Sequence, residues 1–504
     1  MNNTYYLSTR DKNIRVTASE AILQGLAPDG GLFVPELMPR LDVSLNELAK
    51  MTYAEIAYAV MKLFLGDFSA AELKKCIALA YDEKFDTPRI APLKKSGGAG
   101  YYLELFHGPT LAFKDMALTI LPHLMGVAKK KLALAEELVI LCATSGDTGK
   151  AALSGFADVP GVKVIVFYPK DGVSRIQERQ MLTQKGENVH VVGVRGNFDD
   201  AQTGVKKIFN DKKMKAALAA KNYLFSSANS INIGRLIPQI VYYVHAYARL
   251  LSEGAITAGD EINVCVPTGN FGNILAAYYA RRIGAPIATF ICASNENKVL
   301  YDFFGTGHYD KNRELVLTAS PSMDILVSSN LERLIFHVCE NDAEKCKELM
   351  SFLAKEGRYV LTDEMRARLA DFYGGFASEE QTFAAIRDVW RRSAYVLDPH
   401  TAVGEHVYGQ YRQGGDRRPT VIVSTASPYK FLHSVLTALT INCDGMDELD
   451  LPERLFEISA VPIPPAIAEL KTATIRHDSI CDVDAMSAVV AEVLDLTSSP
   501  VPPY

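Results

Sequence analysis

A lysine in an apolar setting is the first residue whose position suggests chemistry. Lys114 follows the apolar residues 111–113 and is separated only by Asp115 from the apolar residues 116–117. Removal from water lowers the pKa of a lysine, so that its amino group becomes a nucleophile towards carbonyl groups. The alternative is a lysine at a helix start, whose stem covers apolar surface while its charge stays near Asp115.

Two turns of small and hydroxyl-bearing residues could each bind an anion. The first is Ala-Thr-Ser-Gly-Asp-Thr-Gly-Lys at 143–150, and the second is Pro-Thr-Gly-Asn-Phe-Gly-Asn at 267–273. Each follows an apolar run and precedes a helical pattern, so that backbone N–H groups and a helix dipole favour a phosphate or carboxylate. A plain helix start capped by Ser145 or Thr148 is the alternative for the first turn.

The first turn does not match a nucleotide-binding P-loop, although it ends in Gly149-Lys150. Thr144 stands where that motif needs its first glycine, and Ala151 stands where it needs a magnesium-binding hydroxyl. A Schiff-base lysine together with a phosphate-binding turn is instead what pyridoxal phosphate requires. In that interpretation one turn holds the cofactor phosphate, and the other holds a carboxylate or phosphate of the substrate.

The elements that would position these residues alternate between strands and helices. Continuous apolar runs predict buried parallel strands at 138–142, 162–168, 189–194, 262–266, 287–292 and 420–424. Apolar spacing of three and four predicts helices at 45–60, 70–81, 150–156 and 272–283, and a mostly helical segment at 310–400. This alternation predicts a parallel α/β architecture.

Composition narrows the class of protein. The 504 residues are 48% hydrophobic and 22% charged, which excludes a disordered, collagen-like or coiled-coil chain. The net charge of −6 gives no overall attraction to nucleic acid or to an anionic membrane. The eight cysteines contain no C-x-x-C pair, which predicts buried reduced thiols and no metal site. Without a secretory signal or an apolar run of about 18 residues, we expect a cytoplasmic protein.

Segments spread over nearly the whole chain resemble the threonine synthases, in their longer bacterial and fungal form. The matching segments are 24–26, 30–33, 103–110, 113–115, 143–149, 227–232, 268–272 and 425–431. The resemblance implies a pyridoxal-phosphate fold of the tryptophan-synthase-β-like type II, with two parallel-sheet α/β domains and an N-terminal extension domain. We place the domains at 1–95, 96–245 and 246–504, with the glycine-rich segment 96–100 as the first boundary and 498–503 as a loose tail.

The resemblance also implies roles for individual residues. Lys114 would bind the cofactor and act as general base and acid, Asp147 would contact the cofactor's phenolic oxygen, and Thr425 would bind the pyridine nitrogen. The cofactor phosphate would be held by Gly269, Asn270, Phe271, Gly272 and Asn273. The substrate's phosphate or carboxylate would be held by Thr144, Ser145, Thr148, Asn229, Ser230, Arg235 and Lys430.

The implied activity is the conversion of O-phospho-L-homoserine and water to L-threonine and phosphate, the final step of threonine biosynthesis. It proceeds by γ-elimination and then β-hydration, in a monomer or homodimer without nucleic-acid or membrane partners. Ser427 and Tyr429 depart from the family's histidine and alanine. The alternatives are a threonine dehydratase-like lyase and an inactive homologue that binds the cofactor or an anion. The role of His400 is left open, and His107 is predicted to be structural.

Overall fold

The computed structural model describes residues 4–96, 100–443 and 445–496; residues 97–99 of the predicted boundary and the predicted tail lie outside this range. The strands are β1 (Tyr5–Ser8), β2 (Arg15–Thr17), β3 (Phe33–Pro35), β4 (Leu93–Lys95), β5 (Gly100–Glu104), β6 (Glu137–Ala143), β7 (Val162–Pro169), β8 (Val189–Arg195), β9 (Tyr223–Ser226), β10 (Ile262–Pro267), β11 (Ile287–Ser294), β12 (His308–Asp310), β13 (Arg358–Val360), β14 (Phe372–Phe376), β15 (Thr420–Ser424) and β16 (Ser479–Asp482).

The helices surround these strands. The first eleven are α1 (Ala18–Gln24), α2 (Leu45–Leu48), α3 (Tyr53–Phe64), α4 (Ala70–Ala80), α5 (Asp115–Leu118), α6 (Leu121–Lys131), α7 (Asp147–Phe156), α8 (Arg175–Leu182), α9 (Phe198–Asn210), α10 (Lys212–Ala220) and α11 (Ile233–Ser252). The others are α12 (Gly272–Ile283), α13 (Val299–Thr306), α14 (Leu331–Val338), α15 (Ala343–Glu356), α16 (Asp363–Ala367), α17 (Glu379–Ser393), α18 (Pro399–Gln413), α19 (Leu432–Ala438), α20 (Leu451–Ser459), α21 (Pro465–Ala468) and α22 (Met486–Val493).

Two sheets form the centre of the molecule, and their central strands, such as β6, β7, β10 and β15, are buried apolar runs. A five-stranded sheet has the order β16-β8-β7-β6-β9, and all its neighbouring strands are parallel. A six-stranded sheet has the order β14-β11-β10-β15-β5-β4 and is parallel except for the pairing of β4 with β5. The predicted parallel α/β architecture is therefore confirmed, and each of the six predicted strands is present.

The two sheets draw strands from both sides of the predicted domain boundaries. β4 and β5, which lie on either side of the 95/96 boundary, both join the six-stranded sheet. β16, close to the end of the described chain, closes the edge of the five-stranded sheet beside β8. Neither sheet is therefore assembled from one contiguous segment of the chain. The domain division at residues 95 and 245 stays a prediction.

The carboxyl ends of neighbouring strands bring the candidate residues together. β10, β15 and β5 are adjacent and parallel, so that the turn after residue 267, Thr425 and the segment leading to Lys114 follow the same edge of one sheet. The Phe113 N–H donates to the carbonyl of Thr425 at 2.8 Å, which ties the lysine segment to that edge. The turn containing Asp147 follows β6 of the other sheet.

The predicted helices are present with one interruption. The predicted helix 45–60 is two helices, α2 and α3, because Thr52 caps the second one in a capping box with Glu55. α4 agrees with the predicted helix 70–81. The segment 310–400 also contains the short strands β13 and β14, which were not predicted; β14 is the edge strand beside β11.

The N-terminal part contains a small antiparallel sheet, β2-β1-β3, and its helices α1 to α4 pack against α11 and α6. Arg333, which is fully buried on α14, fastens this part to the site-bearing part. Its guanidinium donates to the carbonyl of Phe33 at 2.8 Å, to the carbonyl of Ile231 at 2.6 Å and to Asn330 Oδ1. Within the described residues no helix is both long enough and apolar enough to span a membrane.

We expect Arg333→Met to lower the free energy of unfolding by about 3 kcal/mol, because buried carbonyl oxygens lose their donors. Urea unfolding followed by circular dichroism measures this change. Arg368→Met is the control, since Arg368 forms a more exposed ion pair with Glu340 and should change stability by less than about 1 kcal/mol. Equal effects of the two substitutions would contradict the fastening role of Arg333.

Candidate active site

Lys114 directly precedes α5 and is buried, with 8% of its surface exposed. Its Nζ lies 3.4 Å from Ser322 Oγ and 3.5 Å from Asp147 Oδ2. Burial lowers the pKa of Lys114, the Asp147 carboxylate opposes this effect, and the charges of Arg235 and Lys430 add to the lowering. The interpretation of Lys114 as a desolvated lysine is therefore supported over that of a lysine with its charge in solvent.

Asp147 lies between two buried lysines. Its Oδ1 is 3.1 Å from Nζ of Lys430 and accepts a hydrogen bond from Gln177 Nε2 at 2.8 Å. Burial by itself would raise the pKa of Asp147, but Lys430, Lys114 and Gln177 together hold that pKa well below its ordinary value. Asp147 is therefore a permanent carboxylate, which keeps a fixed negative charge 3.5 Å from the Lys114 amino group.

The first predicted turn, 143–150, is held together by a side chain of its own. Thr144 Oγ1 accepts hydrogen bonds from the N–H groups of Gly146 at 3.0 Å and Gly149 at 2.8 Å. Gly146 has φ +126°, and a Cβ there would lie 2.5 Å from the Gln177 side chain, so only glycine fits. α7 starts without a side-chain cap, so that the alternative of a plain turn capped by Ser145 or Thr148 is wrong.

The second turn connects β10 to α12, and two of its carbonyl groups accept hydrogen bonds from side chains outside the turn. The carbonyl of Gly269 accepts from Ser328 Oγ at 2.7 Å, and that of Asn270 accepts from Asn330 Nδ2 at 3.0 Å. Phe271 adopts a left-handed conformation, φ 65°, immediately before α12, and no side chain caps this helix. With the carbonyl oxygens occupied elsewhere, the backbone of the turn offers N–H groups to an anion.

Ser322 lies between this second turn and Lys114 and contacts both. A Cβ at Gly269 would lie 2.5 Å from the carbonyl oxygen of Ser322, whose Oγ contacts the Lys114 amino group. The N–H of Ser322 donates to Nε2 of His400 at 3.2 Å, and the other ring nitrogen of His400 lies 2.9 Å from Asp398 Oδ1. His400, whose role the sequence left open, thus positions the segment that separates the lysine from the turn.

Arg235 lies in the first turn of α11 and is 3% exposed. Its Nη1 donates to the carbonyl of Ala228 at 3.0 Å, whereas its Nε has no partner among the described residues. Burial lowers the pKa of Arg235 to about 10, so the group is charged at neutral pH. The predicted substrate contacts Asn229 and Ser230 occupy the turn just before this helix, partly exposed.

The structure connects several of the predicted site residues directly. Lys114, Asp147 and Lys430 form a chain of contacts, and Thr425 is tied to the residue before the lysine. Lys430 is fully buried and bound by the carbonyl of Thr110 at 2.8 Å, by Gln180 Oε1 at 3.0 Å and by Asp147. Its predicted contact with substrate stays a prediction, as do the roles of Thr144, Ser145 and Thr148.

Four contributors to the site were missed by sequence reasoning: Gln177, Gln180, Ser322 and Asp398. Ser174 and Gln177 have the spacing of a capping box, which the structure forms at the start of α8. That pattern predicts a helix start, but it contains no signal that the same glutamine reaches Asp147. His107, predicted to be structural, lies between Asp86 and Glu104, and these carboxylates outweigh burial and raise its pKa to about 9.

These residues fit pyridoxal phosphate. Lys114 offers a buried amino group of lowered pKa, and the turn 268–273 offers backbone donors at the start of α12. A sequence model of pyridoxal-phosphate-dependent enzymes matches residues 85–363, and models of the threonine synthase N terminus and C-terminal region match 5–81 and 401–490. Fold and site are thus those of a pyridoxal-phosphate-dependent enzyme.

Individual relatives narrow the family. Threonine synthase of Pseudomonas aeruginosa is 40% identical over 85% of this chain and 89% of its own length. A crystal structure of threonine synthase from Brucella melitensis with bound pyridoxal phosphate superposes with a TM-score of 0.86 at 33% identity, covering 98% of this chain and 100% of that one. The chain belongs to the threonine synthase family.

A second group of relatives is longer than this chain. Human threonine synthase-like 1 is 43% identical over 84% of the chain, but this match spans only 58% of the human protein. The corresponding protein of Macaca fascicularis is 42% identical over 87% of the chain and 60% of its own length.

We expect Asp147→Asn to lower the free energy of unfolding by about 3 kcal/mol at pH 7, because two buried lysines lose their counter-ion. The lowered pKa of Asp147 means that its carboxylate stabilises the fold fully above the unfolded pKa, about 3.9, and that this contribution is lost as the pH falls below that value. The difference from wild type should therefore shrink at pH 3.

Urea unfolding at pH 7 and pH 3 measures both quantities. Asp478→Asn removes an exposed carboxylate and serves as the matched control, with an expected change below about 0.5 kcal/mol at pH 7. A destabilisation by Asp147→Asn that is as large at pH 3 as at pH 7 would show that loss of the charge is not its cause.

Proposed function

We propose that this chain converts O-phospho-L-homoserine and water to L-threonine and phosphate with pyridoxal phosphate as cofactor. The observation that carries the proposal is the buried Lys114 amino group near two elements suited to anions. Ser322 connects it to the turn 268–273. The charge of Arg235, whose Nε has no partner among the described residues, is near enough to lower the pKa of Lys114. Membership of the threonine synthase family supports the same reaction.

Pyridoxal phosphate, when bound, supplies an electron sink for carbanion chemistry at the substrate's amino acid centre. Lys114 would hold the cofactor's aldehyde, the turn 269–273 would hold its phosphate, and Thr425 would bind its pyridine nitrogen. Asp147 would lie near its phenolic oxygen. These assignments rest on the site geometry together with the matching motifs.

The chain's own groups would then move protons. A free Lys114 amino group takes the proton from the substrate's α carbon, and its lowered pKa makes the neutral, proton-accepting form easier to reach. Lys114 would also take a β proton, after which the bond between the γ carbon and the phosphate oxygen breaks and phosphate leaves with one of the two protons removed. The other proton goes to the γ carbon, which becomes the methyl group. Water adds its hydroxyl at the β carbon, its remaining proton replaces the one taken from the α carbon, and threonine leaves.

Arg235 is the group best suited to the substrate's phosphate. Its guanidinium is buried, charged and fixed at one end by the carbonyl of Ala228, while Nε remains available for a second oxygen acceptor. A planar guanidinium binds a phosphate through two parallel hydrogen bonds, which a lysine cannot do. Asn229 and Ser230, in the preceding turn, would contribute neutral donors.

The departures at Ser427 and Tyr429 leave this machinery in place. Ser427 Oγ accepts the Tyr429 N–H at 3.3 Å and caps the short 3-10 turn that ends at Lys430. The Tyr429 side chain is fully buried, and its hydroxyl donates to the carbonyl of Val461 at 2.6 Å. Both residues thus support the position of Lys430 beside Asp147.

Product stoichiometry tests the reaction directly. The holoenzyme is supplied with O-phosphohomoserine, and phosphate, threonine and 2-oxobutanoate are quantified together. We expect equal yields of phosphate and threonine, because β-hydration follows γ-elimination in the same site. Phosphate accompanied by 2-oxobutanoate would indicate a lyase. The absence of every product, with the cofactor's absorption band present, would indicate a substrate other than this phosphate ester.

Lys114→Ala should reduce turnover by at least roughly 10³-fold, since no other group in the site replaces its proton transfers. Phosphate release measures the effect, and circular dichroism checks that the variant is folded. Lys94→Ala, at an exposed position of β4, is the matched control and should keep wild-type turnover. Substantial turnover by folded Lys114→Ala would rule out the proposed role of the lysine.

Arg235→Lys should lower kcat/KM for O-phosphohomoserine roughly 10- to 100-fold, because it keeps the charge but loses one charged hydrogen bond. Steady-state kinetics of phosphate release provide the measurement. Arg282→Lys, near the end of α12, is the control. An unchanged kcat/KM in Arg235→Lys would assign the phosphate to another group.

A further inference from the structure

The buried carboxylate of Asp398 is connected by two series of hydrogen bonds to residues that would hold the cofactor. Asp398 is the N-cap of α18, which packs against β10, β11 and β15 of the six-stranded sheet. The residue is 1% exposed, and it accepts four hydrogen bonds from His400 and Thr401 in the first turn of the helix. Two come from backbone N–H groups and form an ordinary helix cap, whereas the other two come from side chains.

The first connection passes through Thr401, which is fully buried. Its hydroxyl donates to Asp398 Oδ2, and its oxygen accepts the N–H of Thr425 at 3.2 Å. The carbonyl of Thr425 accepts from the N–H of Phe113 at 2.8 Å, so both backbone groups of Thr425 are held. Because the Thr401 proton points at the carboxylate, the lone pairs of the hydroxyl oxygen are free to accept from Thr425.

The second connection passes through His400. Its Nδ1 lies 2.9 Å from Asp398 Oδ1, and its Nε2 accepts the N–H of Ser322 at 3.2 Å. A backbone N–H can only donate, so Nε2 carries no proton, and the ring proton lies on Nδ1, from which it is donated to the carboxylate. Ser322 in turn contacts the Lys114 amino group through Oγ, and its carbonyl oxygen lies against Gly269 of the turn after β10.

This arrangement is more than a helix cap requires. Oδ1 accepts from both the backbone and the ring of His400, and Oδ2 accepts from both the backbone and the hydroxyl of Thr401. A carboxylate accepts hydrogen bonds and donates none, so Asp398 sets the donor direction of both connections at once. The ring of His400 and the hydroxyl of Thr401 are thereby each held in one orientation.

We propose that Asp398 is a positioning residue for the cofactor. It orients Thr425 through Thr401, and it orients Ser322, beside Lys114, through His400. Side chains that contact a cofactor hold it precisely only when further hydrogen bonds fix their own positions. The inference rests on the proposed cofactor contacts of Lys114 and Thr425, but it does not depend on the identity of the substrate.

Asp398→Ser separates positioning from capping. Serine caps a helix about as well as aspartate, but its shorter side chain does not extend to the His400 ring and the Thr401 hydroxyl. The full-length apoenzyme is titrated with pyridoxal phosphate, and the absorption band of the bound cofactor gives the Kd. We expect Asp398→Ser to raise this Kd at least roughly tenfold, as is typical when residues behind the direct ligands are lost.

Asp342→Ser is the matched control, because Asp342 caps α15 by accepting from the N–H groups of Glu344 and Lys345. Its Kd for pyridoxal phosphate should stay within about twofold of the wild-type value. Circular dichroism checks that both variants are folded. Equal Kd values for Asp398→Ser and Asp342→Ser would overturn the inference, since capping would then be the whole role of Asp398.

Thr401→Val and His400→Phe each break one connection, and each should raise the Kd at least roughly threefold. Adding Thr401→Val to Asp398→Ser should raise the Kd by less than about twofold further, because that connection is already broken. A full multiplication of the two effects would overturn the inference, since the two residues would then act independently.

The single variants decide the matter if Asp398→Ser fails to fold. A wild-type Kd in folded Thr401→Val and in folded His400→Phe would then overturn the inference. The titration contains no substrate, so its outcome is separate from any failure of the proposed reaction with O-phosphohomoserine.

Discussion

Charge buried between two sheets is the constraint on which the rest of the site depends. Asp147 belongs to the turn after β6 in the five-stranded sheet, and Lys430 follows β15 in the six-stranded sheet. An isolated buried ion costs several kcal/mol, so neither group is tolerated without the other. Lys430 also binds Thr110 and Gln180, and this set of contacts fixes the two sheets relative to each other around Lys114.

The same constraint sets the chemistry of the reactive lysine. Burial lowers the pKa of the Lys114 amino group, while the Asp147 carboxylate opposes this effect. Two further cations, Arg235 and Lys430, add to the lowering of this pKa. In the proposed reaction these cations would attract the phosphate and carboxylate of the substrate and stabilise negative charge that develops during proton removal.

Sequence reasoning located six of the buried strands, the turns that follow two of them, and the buried Lys114, because each is encoded by a local pattern. The apolar run 138–142 and the turn after it illustrate this: a buried parallel strand and a glycine-bearing turn are both visible in neighbouring residues. The interruption at Thr52 was missed because the apolar spacing continues through it, although the capping pattern with Glu55 was present. Gln177, Ser322 and Arg333 could not be predicted, since their partners lie 30, 208 and 300 positions away.

The strand order has a consequence for the order in which the protein can assemble during synthesis. β5 lies between β4 and β15, and β8 lies between β7 and β16. The six-stranded sheet is therefore incomplete until β15, at 420–424, has been synthesised, and the five-stranded sheet is incomplete until β16, at 479–482, has been synthesised. Until then the nascent chain carries unpaired strand edges beside apolar surface, which is the kind of surface that aggregates or recruits chaperones. The ribosome must therefore release the chain as far as residue 424 before the six-stranded sheet is complete, and as far as residue 482 before the five-stranded sheet is complete.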